Sequence, residues 1–510
     1  MDGPAGGKRR GTDMLLRELL ATIEEKKVVG TPDIDVDGLA YDSRVVCEGD
    51  AFFCVKGLVT DGHLYAARAV EAGAHVLFVE RQPDAELPDG IVLVKVPDTR
   101  MALANCASMF YGQPSSAMKL VGVTGTNGKT TTGFLIESIF RAAGHVSGLI
   151  GTVENHVGDV VEPVTRTTPE SLDLQRLLRR MVDEGVTAAV MEVSSHALEL
   201  HRVSGCEFAT VVFTNLTQDH LDFHLSIEEY FGAKRRLFEG DDFGRGRAAV
   251  VNADDPFGAR LLGETGLPAC SFGINNEADV RAVDIDISAA GNRFKITHQG
   301  GTLELTTMLQ GKFNVYNCLA AAAVALKAGI EGEHIAEGLE SLAGVPGRFE
   351  NIDCGQPFTA LVDYAHTPDG ISNVLEACRE VTGGRVIIVV GCGGDRDRSK
   401  RPLMGRVATE MSDLCIITSD NPRGEEPESI IEMVLEGVRG EFPESRYLTV
   451  VDRRSAICRA VAEAVEGDLV VIAGKGHESG QIFSDRVIPF DDREVLRECL
   501  QEVTGAQCQT

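Results

Sequence analysis

The sequence predicts an α/β protein of three domains. The chain has 510 residues, more than one hydrophobic core usually supports, since domains of about 100 to 200 residues are typical. Short apolar runs alternate with helical patterns along the chain, and this alternation favours mostly parallel sheets. The hydrophobic fraction of 43% and the 55 glycines are typical of a globular protein with many tight turns.

Two breaks divide the chain. Residues 111–114 (YGQP) interrupt the pattern of the N-terminal region, and residues 344–347 (GVPG) interrupt it again. We therefore predict a small α/β domain over residues 1–110, a central domain over 111–345 and a C-terminal Rossmann-like domain over 346–510. The second break is also a candidate hinge. The predicted elements are a helix at 14–25, a strand at 75–80, helices at 129–143 and 171–184, strands at 187–193 and 208–214, a helix at 314–329, and strands near 359–363, 386–390, 414–418 and 469–473.

Charge and hydropathy exclude two classes of partner. The formal net charge of −28 repels nucleic acid and anionic lipid. No run approaches the about 18 to 20 apolar residues of a membrane span, and the N-terminus lacks the apolar core of a secretory signal. We therefore expect a cytoplasmic protein with no nucleic-acid partner and no membrane insertion. The basic tail residues Lys8, Arg9 and Arg10 are interpreted as a solvated end.

The 13 cysteines include no CxxC pair. In a cytoplasmic chain this pattern predicts reduced and mostly buried thiols rather than disulfides or a zinc site. Cys392 is the exception, because it lies in a glycine-rich segment that is predicted to be a loop.

The segment VGVTGTNGKTTT at 121–132 joins an apolar strand to the helix predicted at 129–143. Such a loop predicts a phosphate cradle made by the backbone amides of residues 125–129, with Lys129 neutralising charge and Thr130 offering a hydroxyl to Mg²⁺. The strict P-loop spacing has glycine where this chain has Val123. A P-loop indicates a nucleotide but no particular reaction.

Polar segments follow several predicted strands. Ligands of parallel sheets lie at the carboxyl ends of the strands, so these segments predict a binding site at one sheet edge. In the central region Glu192, Asp219 and His220 follow strands in the same way, where oxygen or imidazole groups would hold magnesium beside the phosphates. The C-terminal segments are DYAHTPD (363–369), GCGGDRDRSKRP (391–402), SDNPRGEEP (419–427) and GKGHE (474–478).

The chain resembles the Mur ligase family, and the matching motifs cover almost its whole length. The resemblance implies the three domains of that family: a UDP-binding domain, a central P-loop ATPase domain and a C-terminal Rossmann-like domain. In addition to DYAHTPD, GDRDRSKRP and GKGHE, the motifs are YDSR (41–44), VTGTNGKTTT (123–132), EVSSHAL (192–198), NLTQDHLDFH (215–224), YFGAKRRLF (230–238), GKFNVYN (311–317) and PGRFE (346–350).

The resemblance implies an ATP-dependent, ADP-forming ligase that makes an amide bond through an acyl phosphate, in the cytoplasmic synthesis of peptidoglycan for the cell wall. Two anions must approach each other in such a reaction, so Mg²⁺ and cationic groups are needed. By similarity, the catalytic residues are Lys129, Glu192, His220 and Lys234. The metal ligands are Thr130, Glu192, His220 and Lys234, the last as a carbamate. The ATP-binding residues are Gly125, Thr126, Asn127, Gly128, Lys129, Thr130, Thr131, Asn314, Asn317, Arg348 and Asp363.

The resemblance also implies a site for UDP-N-acetylmuramoyl-L-alanyl-D-glutamate. One nearby position departs from the pattern, because Leu200 stands where some relatives have a glutamine that contacts this substrate. We interpret His196 and His201 as residues with structural hydrogen bonds. The positions matched to this substrate are Ser43, Arg44, Thr167, Thr168, Ser194 and Arg202.

The segment Asp420-Asn421-Pro422-Arg423 resembles the motif of the subfamily that adds meso-diaminopimelate. That amino acid differs from lysine by a second carboxylate, which a planar guanidinium can bind through two hydrogen bonds. We predict Arg423 for this contact, with Pro422 restricting the local backbone. Glu478 is predicted to pair with the distal ammonium. The full predicted amino-acid site is Arg396, Asp420, Asn421, Pro422, Arg423, Gly474 and Glu478.

Three alternatives remain open from the sequence. Folylpolyglutamate synthase shares the acyl-phosphate chemistry, but its loop usually reads GKGS where this chain has GKTTT. The ligase that adds D-alanyl-D-alanine should lack the arginine of DNPR. A nucleotide-binding regulator without turnover would not need Lys129, Glu192, His220 and Lys234 together. We expect a monomer.

Overall fold

The computed structural model describes residues 14–57, 60–84, 86–164, 166–221, 223–239, 245–288 and 290–505. The tail residues Lys8, Arg9 and Arg10 lie outside these ranges. The described residues form three α/β units, each built around its own main sheet, so the predicted fold class is confirmed. The boundaries at 110 and 345 stay predictions.

The N-terminal unit is built on a five-stranded sheet with the order β2-β7-β6-β5-β4, in which only β2 runs antiparallel to its neighbour. Its strands are β1 (Met14–Leu15), β2 (Lys27–Val29), β3 (Asp35–Val36), β4 (Gly38–Ala40), β5 (Asp50–Phe53), β6 (Val76–Val79) and β7 (Val92–Lys95). Its helices are α1 (Leu16–Leu20), α2 (Ala66–Glu71) and α3 (Thr99–Phe110), and 3-10 turns span Gly62–Tyr65 and Pro114–Ala117.

The helix predicted at 14–25 is shorter than expected. Met14 and Leu15 pair as a strand with β3, and α1 ends at Leu20. The amides of Thr22 and Ile23 bond to carbonyls three residues back rather than four, at 3.1 and 3.2 Å. Tight turns of this kind end an α-helix. The apolar side chains of this segment, such as Leu16 and Leu19, are still buried.

The central unit contains an eleven-stranded sheet with the order β11-β10-β9-β12-β8-β14-β16-β17-β18-β19-β20. Its strands are β8 (Lys119–Thr124), β9 (Ser147–Ile150), β10 (Glu154–Val157), β11 (Val160–Pro163), β12 (Ala188–Glu192), β13 (Glu207–Phe208), β14 (Thr210–Phe213), β15 (Arg245–Gly246), β16 (Ala249–Asn252), β17 (Ala269–Gly273), β18 (Val280–Ser288), β19 (Gly291–His298) and β20 (Gly301–Thr307). Its helices are α4 (Lys129–Ala142), α5 (Ser171–Asp183), α6 (Ser195–Glu199), α7 (Ile227–Arg235), α8 (Pro256–Glu264), α9 (Lys312–Lys327) and α10 (Gly332–Ser341), with a 3-10 turn at Arg236–Phe238.

The middle of this sheet is parallel, and antiparallel strands extend it at both ends. One face packs against α4, α9 and α10, and the other face packs against α5 and α7. Burial of both faces explains why β8 and β12 read as continuous apolar runs. The carboxyl ends of β8, β12 and β14 therefore meet at one edge of the sheet.

The C-terminal unit has a six-stranded sheet with the order β21-β22-β26-β23-β24-β25, and all its pairings are parallel except that of β21. Helices α11 to α13 pack against one face and α14 and α15 against the other. Its strands are β21 (Glu350–Asn351), β22 (Thr359–Asp363), β23 (Val386–Cys392), β24 (Leu414–Ser419), β25 (Tyr447–Thr449), β26 (Leu469–Ala473), β27 (Gly480–Ile482) and β28 (Val487–Pro489). Its helices are α11 (Pro368–Val381), α12 (Lys400–Met411), α13 (Pro427–Leu435), α14 (Arg453–Glu463) and α15 (Asp492–Thr504), with a 3-10 turn at Glu444–Arg446.

The expectation that disulfides are absent is wrong. Helices α14 and α15 pack side by side and bring the Cα atoms of Cys458 and Cys499 to 5.2 Å, where the two thiols are joined. Burial was predicted correctly, because eight of the nine free cysteines in the described ranges are buried and only Cys47 is exposed. Cys392 is the last residue of β23 rather than part of a loop. Across the described ranges, every helix is too short or too polar to cross a membrane.

Candidate active site

The glycine-rich loop joins β8 to α4, as predicted. Gly125 and Gly128 have φ values of +147° and +85°, and a Cβ on either would lie 1.9 Å from Thr214 Oγ1 or 2.4 Å from Asn317 Oδ1. The backbone therefore requires glycine at both positions. The amides of Thr126 and Asn127 differ from the prediction, because they donate to the backbone and side-chain oxygens of Asn215. The N-terminus of α4 remains as the part of the loop suited to anions.

Two lysine side chains converge on this loop. The ammonium of Lys129 donates to the carbonyls of Gly125 and Thr126 at 3.0 and 2.8 Å. Lys234, on α7 and 1% exposed, donates to the same Gly125 carbonyl at 2.8 Å. Burial and the charge of Lys129 hold the pKa of Lys234 well below its ordinary value. Withdrawal from solvent also lowers the pKa of Lys129.

Glu192 ends β12 and is buried beside the loop. Its carboxylate accepts hydrogen bonds from the hydroxyl of Thr130 at 3.1 Å and from the amide and hydroxyl of Thr152 at 2.7 and 2.9 Å. Arg348 from the C-terminal side donates to the Thr130 hydroxyl at 2.9 Å. This cluster places a carboxylate and a hydroxyl side by side at the start of α4, which is a donor set that suits Mg²⁺. Among the described residues, no three His, Cys, Asp or Glu side chains are grouped to hold a metal by themselves.

Asp219 and His220 follow β14, and the Nε2 atom of His220 lies 3.4 Å from Asp219. Two residues of the C-terminal unit reach the same carboxylate, with Lys400 at 3.5 Å and His366 at 3.9 Å. Burial acts to raise the pKa of Asp219, but the neighbouring His220 and Lys400 outweigh this effect and hold it below its usual range. The Nδ1 atom of His366 lies 2.8 Å from the carbonyl of Tyr364, so its Nε2 atom faces the site. The two units therefore share one polar cluster.

The remaining residues predicted to bind ATP surround the same loop. Asn317 accepts from the Thr132 hydroxyl at 3.3 Å, and its amide donates to Asn314 at 2.9 Å. The Asp363 carboxylate accepts the amides of Phe349 and Ala365, both at 2.7 Å, and burial raises its pKa. Asn314 thus supports Asn317 from behind.

A cavity of about 460 Å³, here called the first cavity, lies at the carboxyl ends of the central strands and is lined by all the residues predicted to bind ATP except Gly125 and Asn314. A second cavity of about 430 Å³ adjoins it at the carboxyl ends of the C-terminal strands. The two cavities adjoin each other, because the same residues form one wall of each. The shared lining residues are Thr152, Thr167, Asp219, His220, Tyr364 and His366.

The second cavity brings together six of the seven residues predicted to bind the amino acid, and Pro422 is the one that does not line it. Arg423 donates from Nη1 to the Gly394 carbonyl at 2.8 Å, and its amide donates to the Ile482 carbonyl at 2.9 Å. Burial and the charge of Arg396 lower the pKa of Arg423. The six lining residues are Arg396, Asp420, Asn421, Arg423, Gly474 and Glu478.

Of the residues predicted for the UDP-linked substrate, four lie together beside Glu192. The Thr168 hydroxyl donates to the Glu192 carbonyl at 2.8 Å, and the Ser194 amide lies 3.3 Å from the same hydroxyl. Arg202 donates to the Thr168 carbonyl at 3.2 Å and pairs with Glu170 at 2.9 Å. The Thr167 hydroxyl accepts from Thr152 at 3.1 Å.

The other two lie apart, on the N-terminal unit. Ser43 is buried, and Arg44 is exposed and pairs with Asp42 at 2.6 Å. Neither lines the first or the second cavity. The N-terminal unit is nevertheless joined to the central unit, because the Tyr41 hydroxyl donates to Asp173 at 2.6 Å.

Four non-glycine residues beside the cavities have left-handed backbones. His220, Phe349, Asp395 and Arg423 have φ values of 55°, 48°, 51° and 53°. This region is unfavourable for most side chains and is often found at functional sites, where the surrounding structure holds it. In Arg423 the backbone is held by the bond from its amide to Ile482.

Sequence reasoning missed several residues of the shared wall and its supports. Thr152 was missed because it follows a short strand with no motif. Lys400, Tyr364, His366 and Asp369 stand inside quoted motifs, but spacing alone gave them no role. Asp369 joins the two units, because its carboxylate accepts from Asn127 at 2.7 Å and from Thr217 at 3.2 Å.

Comparison with known proteins agrees with this geometry. Three family profiles match the chain: "Mur ligase family, catalytic domain" over residues 35–111, "Mur ligase middle domain" over 123–325 and "Mur ligase, glutamate ligase domain" over 347–476. Together they cover well over half of the sequence.

Curated relatives and a solved structure extend the match to nearly the full length. A protein of Geobacillus thermodenitrificans is 49% identical over 93% of this chain and 96% of its own. One of Syntrophomonas wolfei is 46% identical over 96% of this chain and 99% of its own. Both are named UDP-N-acetylmuramoyl-L-alanyl-D-glutamate--2,6-diaminopimelate ligase. A solved structure with the same name has 32% identity and a TM-score of 0.68, and it covers 96% of this chain and 99% of its own. The chain therefore belongs to the Mur ligase family.

Proposed function

We propose that this ATP-dependent ligase adds meso-2,6-diaminopimelate to UDP-N-acetylmuramoyl-L-alanyl-D-glutamate through an acyl phosphate, in peptidoglycan precursor synthesis. The observation that carries the proposal is the wall shared by the two cavities. The P-loop lines the first cavity, and the second is lined by both guanidinium and carboxylate groups, among them Arg396, Arg423 and Glu478. A carboxyl group activated in the first would meet an amine held in the second.

In the first step a carboxylate oxygen of the UDP-linked peptide attacks the γ-phosphorus of ATP, and the bond from that phosphorus to the β-phosphate oxygen breaks, which releases ADP. Lys129 lies where negative charge develops, at the start of α4. Its hydrogen bonds to two backbone carbonyls can be exchanged for bonds to phosphate oxygens. A cation held beside the transferring group stabilises the negative charge that develops during phosphoryl transfer.

Magnesium fits the oxygen donors of Thr130 and Glu192, which lie 3.1 Å apart. When bound, it would neutralise phosphate charge and orient the transferring group. The imidazole of His220 would supply a further ligand. Lys234 fits this role only after modification, because an ammonium cannot bind a cation. Its lowered pKa favours the neutral amine that reacts with carbon dioxide, and the resulting carbamate would offer anionic oxygen.

In the second step the amine nitrogen of diaminopimelate attacks the carbonyl carbon of the acyl phosphate. The bond from that carbon to the phosphate oxygen breaks, phosphate leaves with the electron pair, and the former ammonium gives up its protons to phosphate and solvent. His366 belongs to the shared wall and Lys400 lines the second cavity, and both lie near Asp219, where the leaving phosphate would pass. Holding both reactants in one enclosed space supplies most of the advantage of such a step.

The second cavity favours diaminopimelate over lysine. Four cations of the described ranges line this cavity, and two of them, Arg166 and Lys400, already pair with Glu170 and Asp219. Arg396 and Arg423 are the two proposed to bind the carboxylates of diaminopimelate, and Glu478 is suited to its ammonium. Lysine would leave Arg423 without an anionic partner in a partly buried position, which costs a few kcal/mol. Asp420, Asn421, Pro422 and Gly474 would shape the backbone around this end of the substrate.

For the UDP-linked substrate we propose contacts with Thr167, Thr168, Ser194 and Arg202 near the reacting end. Ser43 and Arg44, which lie on the N-terminal unit, would contact the uridine end. An extended nucleotide sugar suits this arrangement, since its two ends would contact different units.

The test is phosphate release by the purified protein with ATP, magnesium and UDP-N-acetylmuramoyl-L-alanyl-D-glutamate, in which meso-diaminopimelate is compared with L-lysine and the product mass is followed. We expect turnover that depends on diaminopimelate, with lysine used at least tenfold less well. Equal use of lysine would agree with the ligase activity but would contradict the assignment of Arg423 to the second carboxylate of diaminopimelate. Turnover only with a folate and glutamate, or only with D-alanyl-D-alanine, would overturn the proposal in favour of the corresponding ligase. Absence of turnover with any amino acid would favour the regulator.

We further propose a cytoplasmic monomer whose domains close around the substrates. The link between Asn127 and Asp369, 2.7 Å long, joins the P-loop to the C-terminal unit, and the segment 344–347 would act as the hinge. Light scattering after size exclusion would check the monomer. X-ray scattering that shows the same radius of gyration with and without an ATP analogue and both substrates would contradict closure.

A further inference from the structure

Lys475 is a fully buried lysine directly behind the second cavity. It follows Gly474 in the loop after β26, and its exposed fraction is 0%. Its ammonium donates to Asn421 Oδ1 and to Glu478 Oε2, both at 2.9 Å. Gly474 and Glu478 line the second cavity, but Lys475 between them does not. Lys475 therefore contacts two predicted substrate-binding residues from the side away from the substrate.

The three side chains close a triangle. Asn421 Nδ2 donates to the same Glu478 Oε2 atom at 2.7 Å, so that oxygen accepts from both partners. Asn421 Oδ1 is in turn fixed by the Ile482 amide at 3.0 Å. The other oxygen of Glu478, Oε1, has only a long contact of 3.5 Å with the Tyr364 hydroxyl among its described partners. Glu478 is thus held through one oxygen and presents the other.

The charges behind this triangle are also fixed. Arg453 and Asp492 are both fully buried and pair at 2.7 Å, and Arg453 lies 3.9 Å from Asp420. A buried ammonium in such a place is strongly unfavourable unless a carboxylate accompanies it. Lys475 and Glu478 therefore stabilise each other, and movement of Glu478 would remove the carboxylate to which the Lys475 ammonium donates.

We propose that Lys475 is a positioning residue for amino-acid selection, which acts by holding Glu478 and Asn421 in place without touching the substrate. The proposal rests on the proposed function, because it assumes that Glu478 receives the distal ammonium of diaminopimelate. Such support from behind a binding group is what keeps its geometry within the narrow range that recognition needs.

The test is Lys475→Met, which keeps an unbranched side chain only one atom shorter and removes the charge. We expect the KM for diaminopimelate to rise by about 10- to 100-fold, because the group that holds Glu478 and Asn421 in place is lost. The KM values for ATP and for the UDP-linked substrate should stay within about twofold, since neither is proposed to contact this triangle. The matched control is Arg454→Met, which removes an exposed cation, 48% exposed, from α14 in the same unit, and it should leave all three KM values unchanged.

A double-mutant cycle separates this role from general destabilisation. If Lys475 acts through Glu478, then adding Lys475→Met to Glu478→Gln should raise the KM for diaminopimelate by less than about threefold, because neighbouring residues that act as one unit are not additive. Additive effects, or equal increases in all three KM values, would overturn the proposal. If Lys475→Met does not fold, Lys475→Gln, which retains a donor, and the double variant, which removes both charges, take its place in the same comparison. Absence of diaminopimelate-dependent turnover in the unmodified protein would instead overturn the proposed function.

Discussion

In the first cavity the ammonium of Lys129 donates, among the described residues, only to backbone carbonyls, whereas behind the second cavity the ammonium of Lys475 donates to the carboxylate of Glu478. The first arrangement leaves positive charge to be neutralised by a ligand that brings its own negative charge, as ATP does. The second has paired charges already and offers separate cationic and anionic groups to a zwitterion. The two cavities are therefore suited to different ligands, because their charged groups are arranged differently.

This difference predicts that loss of one cation reduces activity more in the first cavity than in the second. Lys129→Met should lower kcat by about 100- to 1000-fold, because the lysine is proposed to act on charge that develops in the transition state. Stopped assays of phosphate release measure this loss. Lys119→Met, at an exposed position at the start of β8, is the matched control and should keep full activity. A kcat within tenfold of the unmodified value would mean that the loop binds phosphate mainly through its backbone.

In the second cavity, loss of one cation should change the KM for diaminopimelate and leave the KM for ATP unchanged. Arg423→Met should raise the KM for diaminopimelate by about 10- to 100-fold, since a hydrogen bond between charged groups contributes about 1.5 to 3 kcal/mol. The KM for ATP should not change. Steady-state kinetics with each substrate varied in turn check this, with the exposed Arg486→Met as control. An equal rise in the KM for ATP would contradict the assignment of the two cavities to different substrates.

The smallest expected effect concerns stability. The pKa of Lys234 in the folded protein lies well below its ordinary value of 10.5, so between these two values the unfolded state binds more protons and stability rises with pH. Lys234→Met should therefore have a higher Tm than the unmodified protein at pH 7, by about 2–4 °C for each kcal/mol gained. The gap should shrink as the pH approaches 10.

Calorimetry at several pH values in buffer free of carbon dioxide measures this difference, because a carbamate would change the charge of the side chain. Lys119→Met, at the exposed start of β8, should show no such pH-dependent gap. A gap that stays constant with pH would show that the methionine stabilises by packing rather than by removing a buried charge.

The sequence predicted best where a local pattern repeats. The strands at 359–363 and 469–473 begin and end where they were predicted, because both are buried on two sides and bounded by polar loops. The three-domain α/β fold and the P-loop followed from the same kind of signal.

The antiparallel extension β18 to β20 was not predicted, although Val280–Ser288 alternates between buried and more exposed positions, a pattern that favours a strand with one buried face. This alternation was sufficient to predict strand β18 from the sequence.

Other features depend on residues far apart in the chain. Lys475 meets Asn421 across 54 positions, and Arg453 meets Asp492 across 39. No spacing rule connects such pairs, since only the order of strands in the sheet brings their loops together. The disulfide between Cys458 and Cys499 was missed for the same reason, because it depends on α14 and α15 packing as neighbours.

The left-handed backbones of His220, Phe349, Asp395 and Arg423 matter for anyone who engineers this protein. Glycine adopts that conformation without penalty, so a selection for heat resistance alone would tend to introduce glycine at these four positions. At two of them, His220 and Arg423, it would delete a side chain that the proposed reaction needs. Stabilisation and turnover therefore conflict at His220 and Arg423, and libraries for stabilisation should keep these two residues unchanged.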